Sequence, residues 1–505
     1  MIIDSHVHFP AGCEAKPDIG SRLVRSAMPF GIGACVVSHI FGKDMGPDMR
    51  FPSSDGIREA NRFAASQCRL NPGRLFFMGY INPQNPDRTE EMDRCIALGA
   101  CGFKLWVSLK DRHGSLENTA AVLRYAAALK KPVYLHVFNR TGGNLPGEID
   151  MNEFRELAET VPGCKMIAGH TGGNWRKSAE IISRCPENVW METGGSNPDF
   201  GMVDGILKFC PPERLLYGSD APGRAFYPQI WKILESSLDL DGRVRVFCRN
   251  AMELLDLPKP PPCPGPVLQP QEVPGRVGID YCCFCGHYPF ETRPEVSPER
   301  LETLLKREGI EVAFTADFST IFTREPARAN RRFLRECENL ERVRPLATVD
   351  PAVPNREEIL NEILSEPGWA GLWLSPAFHR WRLDDPAYGG FLRQCAKADK
   401  PVFINCGFYE PRFYHPDLSM REVSDAELIS FLKNSPFKQC IIQGKIPPPE
   451  AKDLPDCRWC RIRLTDHPGT SPLGKLLVRG SEFPFRHLAE TLNAARFPTA
   501  DINEF

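Results

Sequence analysis

The chain has almost no charge imbalance: 62 basic residues stand against 64 acidic ones, for a net charge of −2. No excess of either sign steers it to nucleic acid or to an anionic membrane surface. It also lacks an uninterrupted apolar run long enough to span a bilayer. The first residues enter a strand without a basic leader or a small-residue cleavage site, so no signal peptide is expected and a cytoplasmic location is. Histidine is scarce, 11 in 505 residues, and the places where it falls therefore carry information. Cysteine is not scarce. Nineteen of them are scattered through apolar segments (Cys35, Cys95, Cys101, Cys248, Cys395, Cys440), a pattern that suits buried, reduced thiols better than disulfides. With 42% hydrophobic and 25% charged residues, the composition is that of a soluble globular protein, too long for one ordinary domain.

Apolar, β-branched runs recur at Ile2–Phe9, Gly31–Ile40, Arg74–Pro83, Ala100–Trp106, Pro132–Phe138, Cys164–His170, Asn188–Gly195 and Arg214–Pro222. Between them lie stretches with three- and four-residue apolar spacing, clearest at Asp87–Leu98, Leu116–Leu129 and Asn152–Thr160. Eight strands alternating with helices over about 250 residues predict an α/β fold, a (β/α)8 TIM-like barrel. Pro258–Gly275 then holds eight prolines and reads as a stiff extended linker. We expect domains at 1–257 and 276–505, joined by the Pro-rich linker 258–275.

The second domain reads as a copy of the first. Arg74–Phe103 and Arg342–Leu372 share a strand, a proline, an acidic-capped helix and a glycine-containing entry to the next strand. Lys131-Pro132-Val133 matches Lys400-Pro401-Val402, 269 residues on, and Leu215–Asp220 resembles Leu476–Glu482. Self-similarity on this scale predicts two tandem barrels, the second degenerate, rather than a short-period solenoid.

In a parallel barrel the functional residues sit at the carboxyl ends of the strands. There the first barrel places His6 and His8 (strand one), Lys104 (four), His136 (five), His170 (six) and Asp220 (eight). His6 and His8 alternate with Val7, so they share a face and can reach one ion. A His-x-His alone is also compatible with two hydrogen-bonded structural histidines. Four of so few histidines at strand ends of one barrel favour metal binding.

The run Asp4-Ser5-His6-Val7-His8, the histidine closing strand five, Gly169-His170-x-Gly172-Gly173 and Gly218-Ser219-Asp220-Ala221-Pro222 together resemble the amidohydrolase superfamily. More narrowly, they are similar to its amidohydrolase-related branch of metal-dependent hydrolases and aminocarboxymuconate-semialdehyde-type decarboxylases. The resemblance covers residues 1–257 well and the remainder as a decayed echo. It implies His6, His8 and His136 as metal ligands, with Asp220 completing the sphere and moving a proton. It implies His170 beside the bound water, as a further ligand or an acid/base partner. The cofactor so implied is a divalent metal, Zn2+ first, as one ion, or two if Lys104 is carboxylated. Lys104 has two other readings, an ammonium gripping a substrate carboxylate and a surface-facing side chain. Arg140 is a second candidate anion clamp. Trp106 and Trp175 either wall the bowl or simply pack.

Aligned through the repeat, His6 corresponds to Cys282, His8 to Phe284, Lys104 to Trp373, His136 to Asn405, His170 to Lys445 and Asp220 to Glu482. No imidazole remains, so the second copy is expected to be a metal-free pseudo-barrel. Cys282, Cys283 and Cys285, with Cys457 and Cys460, are a residual metal or redox candidate, but Cys460 is expected to begin its strand, at the rim opposite Cys282. Function is expected to be metal-dependent hydrolysis of a C–N or C–O bond (cyclic amide, lactone or ester) in a small carboxylated molecule. Its rivals are a non-oxidative decarboxylase on the same site and, from another class, a non-catalytic scaffold or ligand-binding protein. A small-molecule substrate and a homo-oligomer are the expected partners.

Overall fold

The computed structural model describes residues 1–40, 53–106, 116–139, 143–144, 148–195, 201–224, 226–263, 277–289, 295–407, 418–445, 447–454, 457–461 and 477–481. The chain divides into two compact units, one built on Met1–Gln269 and one on Pro270–Thr499.

The first unit contains β1 (Ile2–His8), β2 (Ile32–Ser38), β3 (Leu75–Tyr80), β4 (Gly102–Leu105), β5 (Val133–Leu135), β6 (Met166–Ala168), β7 (Val189–Glu192) and β8 (Leu215–Leu216). They pair in that order, all parallel. The chain beyond β8 closes the ring on β1: Ser5 N donates to Tyr217 O, Asp220 N to His6 O and His8 N to Ala221 O. This is the (β/α)8 barrel that the strand rhythm predicts, with each strand shorter than its apolar run.

β1 is buried at all seven positions, including its polar ones, because every strand of a parallel barrel is covered on both faces. A bulge between Asp4 and Val7 shifts the β1–β2 register and with it the phase of alternation. Ile3 therefore packs among Ala34, Val36, Met78, Tyr134, Ile167 and Leu216, while His6 and His8 turn to the carboxyl end. Asp4 pins the bulge, accepting from His6 N at 3.2 Å and Ser219 N at 2.9 Å.

The helices expected around residues 87–98, 116–129 and 152–160 run Arg88–Ala97, Leu116–Ala128 and Met151–Thr160. The last starts from a capping box between Asp150 and Glu153. Asp87 occupies the capping position, but its carboxylate accepts from Ser54 Oγ and Arg58 instead of the helix backbone. Of the proline-rich stretch, only the first residues are described. They lie along the first unit, where the Arg74 guanidinium donates to the Pro261 and Pro262 carbonyls.

The second unit contains β9 (Val277–Cys285), β10 (Ile310–Asp317), β11 (Val343–Val349), β12 (Gly371–Leu374), β13 (Val402–Asn405), β14 (Cys440–Gln443), β15 (Cys457–Arg461) and β16 (Leu477–Arg479), again paired in sequence order. It repeats particulars of the first. β9 carries a register shift between Asp280 and Cys283, and Asp280 accepts from Cys282 N and Ser481 N, both at 3.0 Å. Asn330 bridges to the Thr348 backbone through both amide atoms, as Asn61 does to Tyr80. Leu372 N donates to Pro401 O, as Phe103 N does to Pro132 O.

Candidate metal centre

The Nε2 atoms of His6 and His8 stand 2.9 Å apart, with the rings crossed at 86°. Each Nδ1 is committed elsewhere. His8 Nδ1 lies 3.0 Å from both the carbonyl and the hydroxyl oxygen of Ser38. His6 Nδ1 lies 2.7 Å from the Tyr134 hydroxyl and 3.3 Å from Glu192 Oε2. Acceptors at Nδ1 fix the tautomer that leaves Nε2 with a lone pair. Two such lone pairs face to face repel unless an electrophile sits between them. Neighbouring ligands about 2.1 Å from one cation are themselves about 3 to 3.4 Å apart, so the pair fits one ion. Asp220 Oδ1 is 3.4 Å from His8 Nε2 and 3.6 Å from His6 Nε2, and the three donor atoms lie within 4.8 Å of one another. The donor set suits a divalent cation.

Burial lowers His6 and His170 well below the ordinary imidazole range and pushes His8 down to about 3. Each is held neutral, the form that ligates. Burial raises Asp220, against the pull of Lys104; 23% of its side chain still meets solvent. Lys104 is buried, with Nζ 3.1 Å from His6 Nε2 and 3.7 Å from the centre of the Tyr134 ring. The surface-facing reading of Lys104 is thereby overturned: strand four of a closed barrel turns that residue into the bowl. Burial moves the lysine toward its unprotonated form, against Asp220 and Glu192.

His136 and His170 form a second pair. His136 Nδ1 is 2.9 Å from His170 Nε2, and His136 Nε2 is 3.0 Å from Glu148 Oε1. His170 Nδ1 faces the Gly194 carbonyl at 3.2 Å. With His170 carrying its proton at Nδ1 and His136 donating through Nε2 to the Glu148 carboxylate, His136 Nδ1 and His170 Nε2 face one another as lone pairs, and either a proton or a cation between them satisfies both. His136 thus lies with His170 rather than in the His6–His8–Asp220 group, and the two sets meet where the His6 and His170 rings approach to 5.0 Å. Trp106 walls His136 at 6.2 Å between ring centres; Trp175 is buried against Gly205 and serves packing. Arg140 lies outside the described residues.

The backbone is bent to deliver these groups. His170, Thr171 and Asp220 have φ of 59°, 46° and 63°, left-handed values that cost non-glycine residues about 1–3 kcal/mol each. Gly195 gives them room, since a Cβ there would strike His170 Nδ1 and Asp220 Oδ2.

Four participants are not singled out by the sequence reading. Glu192 takes hydrogen bonds from Tyr134, the His170 N–H and the Gly194 N–H. Tyr134 stands two residues before His136 on the same strand, and Glu192 closes strand seven, so the strand-end rule reaches both. Ser38 closes strand two. Glu148 comes from a loop, where no pattern marks it.

In the second unit the equivalent bowl is filled. Cys282, Phe284, Trp373, Phe403, Ile441 and Cys460 share one buried cluster, with Phe284 stacked on Phe318. Cys460 is therefore not at the far rim: Cys457 begins β15, and Cys460 lies one residue from its end. The counterpart of His170 is also corrected. Leu135 pairs with Ala168 and Ile404 with Ile442, which puts Gly444, not Lys445, opposite His170, and Gly444 shares its left-handed φ, 73°. Glu482 lies outside the described residues. Among the described residues, the groupings able to hold a metal all lie in the first unit, and none includes Cys282, Cys283, Cys285, Cys457 or Cys460.

A ring of eight parallel strands with imidazoles and a carboxylate at one rim defines a class of barrel enzymes. Residues 3–257, just over half of the chain, match the family described as Amidohydrolase, and the chain belongs to that family. It is an enzyme of that family. Similar solved structures include 5-carboxyvanillate decarboxylase from Sphingomonas paucimobilis (15% identity, 51% of this chain and 99% of that one, TM-score 0.40). Another is 2,6-dihydroxybenzoate decarboxylase from Rhizobium (18%, 51% and 98%, 0.41). A third is dihydroxybenzoic acid decarboxylase from Polaromonas, with bound manganese and an inhibitor (18%, 51% and 97%, 0.41). No curated protein matches the chain.

Proposed function

We propose that the first unit is a metal-dependent hydrolase of a C–N or C–O bond in a small carboxylated molecule. The observation that carries this is the convergence of His6 Nε2, His8 Nε2 and Asp220 Oδ1. These three would hold the cation, zinc first, with His136 as the expected fourth donor. A bound divalent cation supplies a Lewis acid that brings the pKa of a water from 15.7 toward about 7. Asp220 takes the proton of the attacking water and returns it to the departing nitrogen or oxygen. Glu192 and Ser38 keep the ligand imidazoles in the right tautomer. Lys104 positions a substrate carboxylate, or, once carboxylated, holds a second ion; the burial that favours its neutral amine supports the latter.

A non-oxidative decarboxylase is the second reading, favoured by the hydrogen-bonded series Glu148, His136 and His170, a path along which a proton can pass. His170 would deliver that proton to the carbon that loses CO2. The two separate on metal-loaded full-length protein incubated with lactone, cyclic amide and aromatic acid panels. Hydrolysis without gas supports the hydrolase; CO2 release without hydrolysis rules it out. A cytoplasmic setting goes with this proposal. Among the described residues no helix is long and apolar enough to cross a membrane.

The second unit we infer to be a duplicated barrel that has lost its ligands. The matched bulges at Asp4 and Asp280 and the matched Asn61 and Asn330 bridges support common descent. Its aromatic-filled bowl leaves it a supporting role.

A further inference from the structure

Cys13, Glu14 and His39 take no part in the chemistry above, yet their donor atoms converge. Cys13 and Glu14 sit on the short turn Cys13–Ala15 that follows β1, and His39 follows β2 directly. Glu14 Oε1 is 2.9 Å from His39 Nε2, and Cys13 Sγ is 4.0 Å from the same nitrogen. All three atoms lie within 4.8 Å of one another. Cys13 and His39 are buried, at 1% and 0% exposure, while the Glu14 carboxylate keeps 17%. The rings of Phe9 and Phe63 wall the imidazole at 6.0 and 5.5 Å.

A nucleophilic triad does not fit. It needs the carboxylate on one ring nitrogen and the thiol on the other, whereas both converge on Nε2. The other nitrogen, Nδ1, is fully buried and makes no hydrogen bond. A cation at Nε2 takes the lone pair of that nitrogen and places the ring proton on Nδ1. Tetrahedral zinc, with bonds of about 2.3 Å to sulfur and about 2.0–2.1 Å to nitrogen and oxygen, sets S···N near 3.5 Å and N···O near 3.3 Å. Each observed distance is within about half an ångström of that.

We infer that Cys13, Glu14 and His39 form a second, thiolate-containing zinc site, distinct in its donors from the His6–His8–Asp220 set. Binding exchanges the Cys13 S–H proton, released to solvent, for a metal–sulfur bond. Water completes the sphere through the exposed side of Glu14. The ion ties the turn after β1 to the end of β2, next to Ser38, which supports His8.

The test strips the full-length protein of metal and titrates it with Zn2+ and, separately, Co2+. Cobalt bound to a thiolate gives a near-ultraviolet charge-transfer band that a site of imidazoles and carboxylate cannot give. The parent is expected to bind one zinc more than Cys13→Ser and to show the band. The band should vanish in Cys13→Ser and persist in the His6→Ala/His8→Ala double variant. Glu14→Gln, which leaves the buried residues intact, should keep the band and weaken the affinity by about tenfold or more. A parent without the band, a band and stoichiometry unchanged in Cys13→Ser, or a Glu14→Gln affinity equal to the parent's overturns the inference and leaves a buried imidazole–carboxylate pair.

Discussion

Glu192 stands behind His6, its Oε2 3.3 Å from His6 Nδ1, and so sets which nitrogen of that ring faces the bowl. Replacing it tests whether the tautomer matters. Glu192→Gln preserves volume but offers the ring an amide whose orientation is contested by Tyr134 and by the Gly194 N–H. Metal affinity at the first site should fall about 10–100-fold, the usual cost of removing a carboxylate behind a ligating histidine. Far-ultraviolet circular dichroism should be unchanged. Equal affinities in parent and variant, measured by competition with a chromophoric chelator, would show that Glu192 does not orient His6.

The double variant His6→Ala/His8→Ala removes two of the three convergent donors outright. Its metal content at the first site and its turnover should both drop to background, while the barrel stays folded, because those rings are held at its rim. Activity equal to the parent's would place the active unit elsewhere in the chain.

Gly195 should tolerate no side chain. Its φ is 70° and a Cβ would meet His170 and Asp220. Gly195→Ala should lower unfolding free energy by about 1 kcal/mol from the backbone alone and abolish turnover by displacing both groups. A variant with parental activity would mean that His170 and Asp220 need not stay where they are.

The parts of this architecture legible in the sequence are those set by periodicity and scarcity. Near-continuous apolar runs mark parallel strands, and rare histidines at their ends mark the bowl. The bulge at Asp4 was not legible, because a strict alternation would put Ile3 and His6 on opposite faces; only the hydrogen bonds from His6 and Ser219 reveal why both point inward. Glu148 was hidden for another reason. A loop residue has no period, and its role rests on a contact with His136 that the chain makes only once folded. Cys460 lies near the end of β15 rather than at its start because a short strand with an irregular apolar pattern leaves its ends unmarked in the sequence.

Asp280 offers a test in the second unit through pH. Burial raises its carboxyl from the ordinary 3.8 to about 6, partly countered by the Ser481 hydroxyl and the Cys282 and Ser481 N–H groups. A carboxyl whose pKa is raised in the folded state binds its proton more tightly there than in the unfolded chain. Its favourable contribution is complete below about pH 4 and is lost as pH rises through about 6. Asp280→Asn removes that titration. Its amide oxygen still accepts from the backbone, and its NH2 group donates to the Ser481 hydroxyl. The stability of the variant relative to the parent should therefore rise between pH 4 and 7 and level off above. The total change is on the order of 3 kcal/mol, from a shift of about two units at 1.36 kcal/mol each. Urea midpoints across that range measure it. A difference between the two proteins that stays constant from pH 4.5 to 8 would mean that Asp280 titrates in the fold as it does in the open chain.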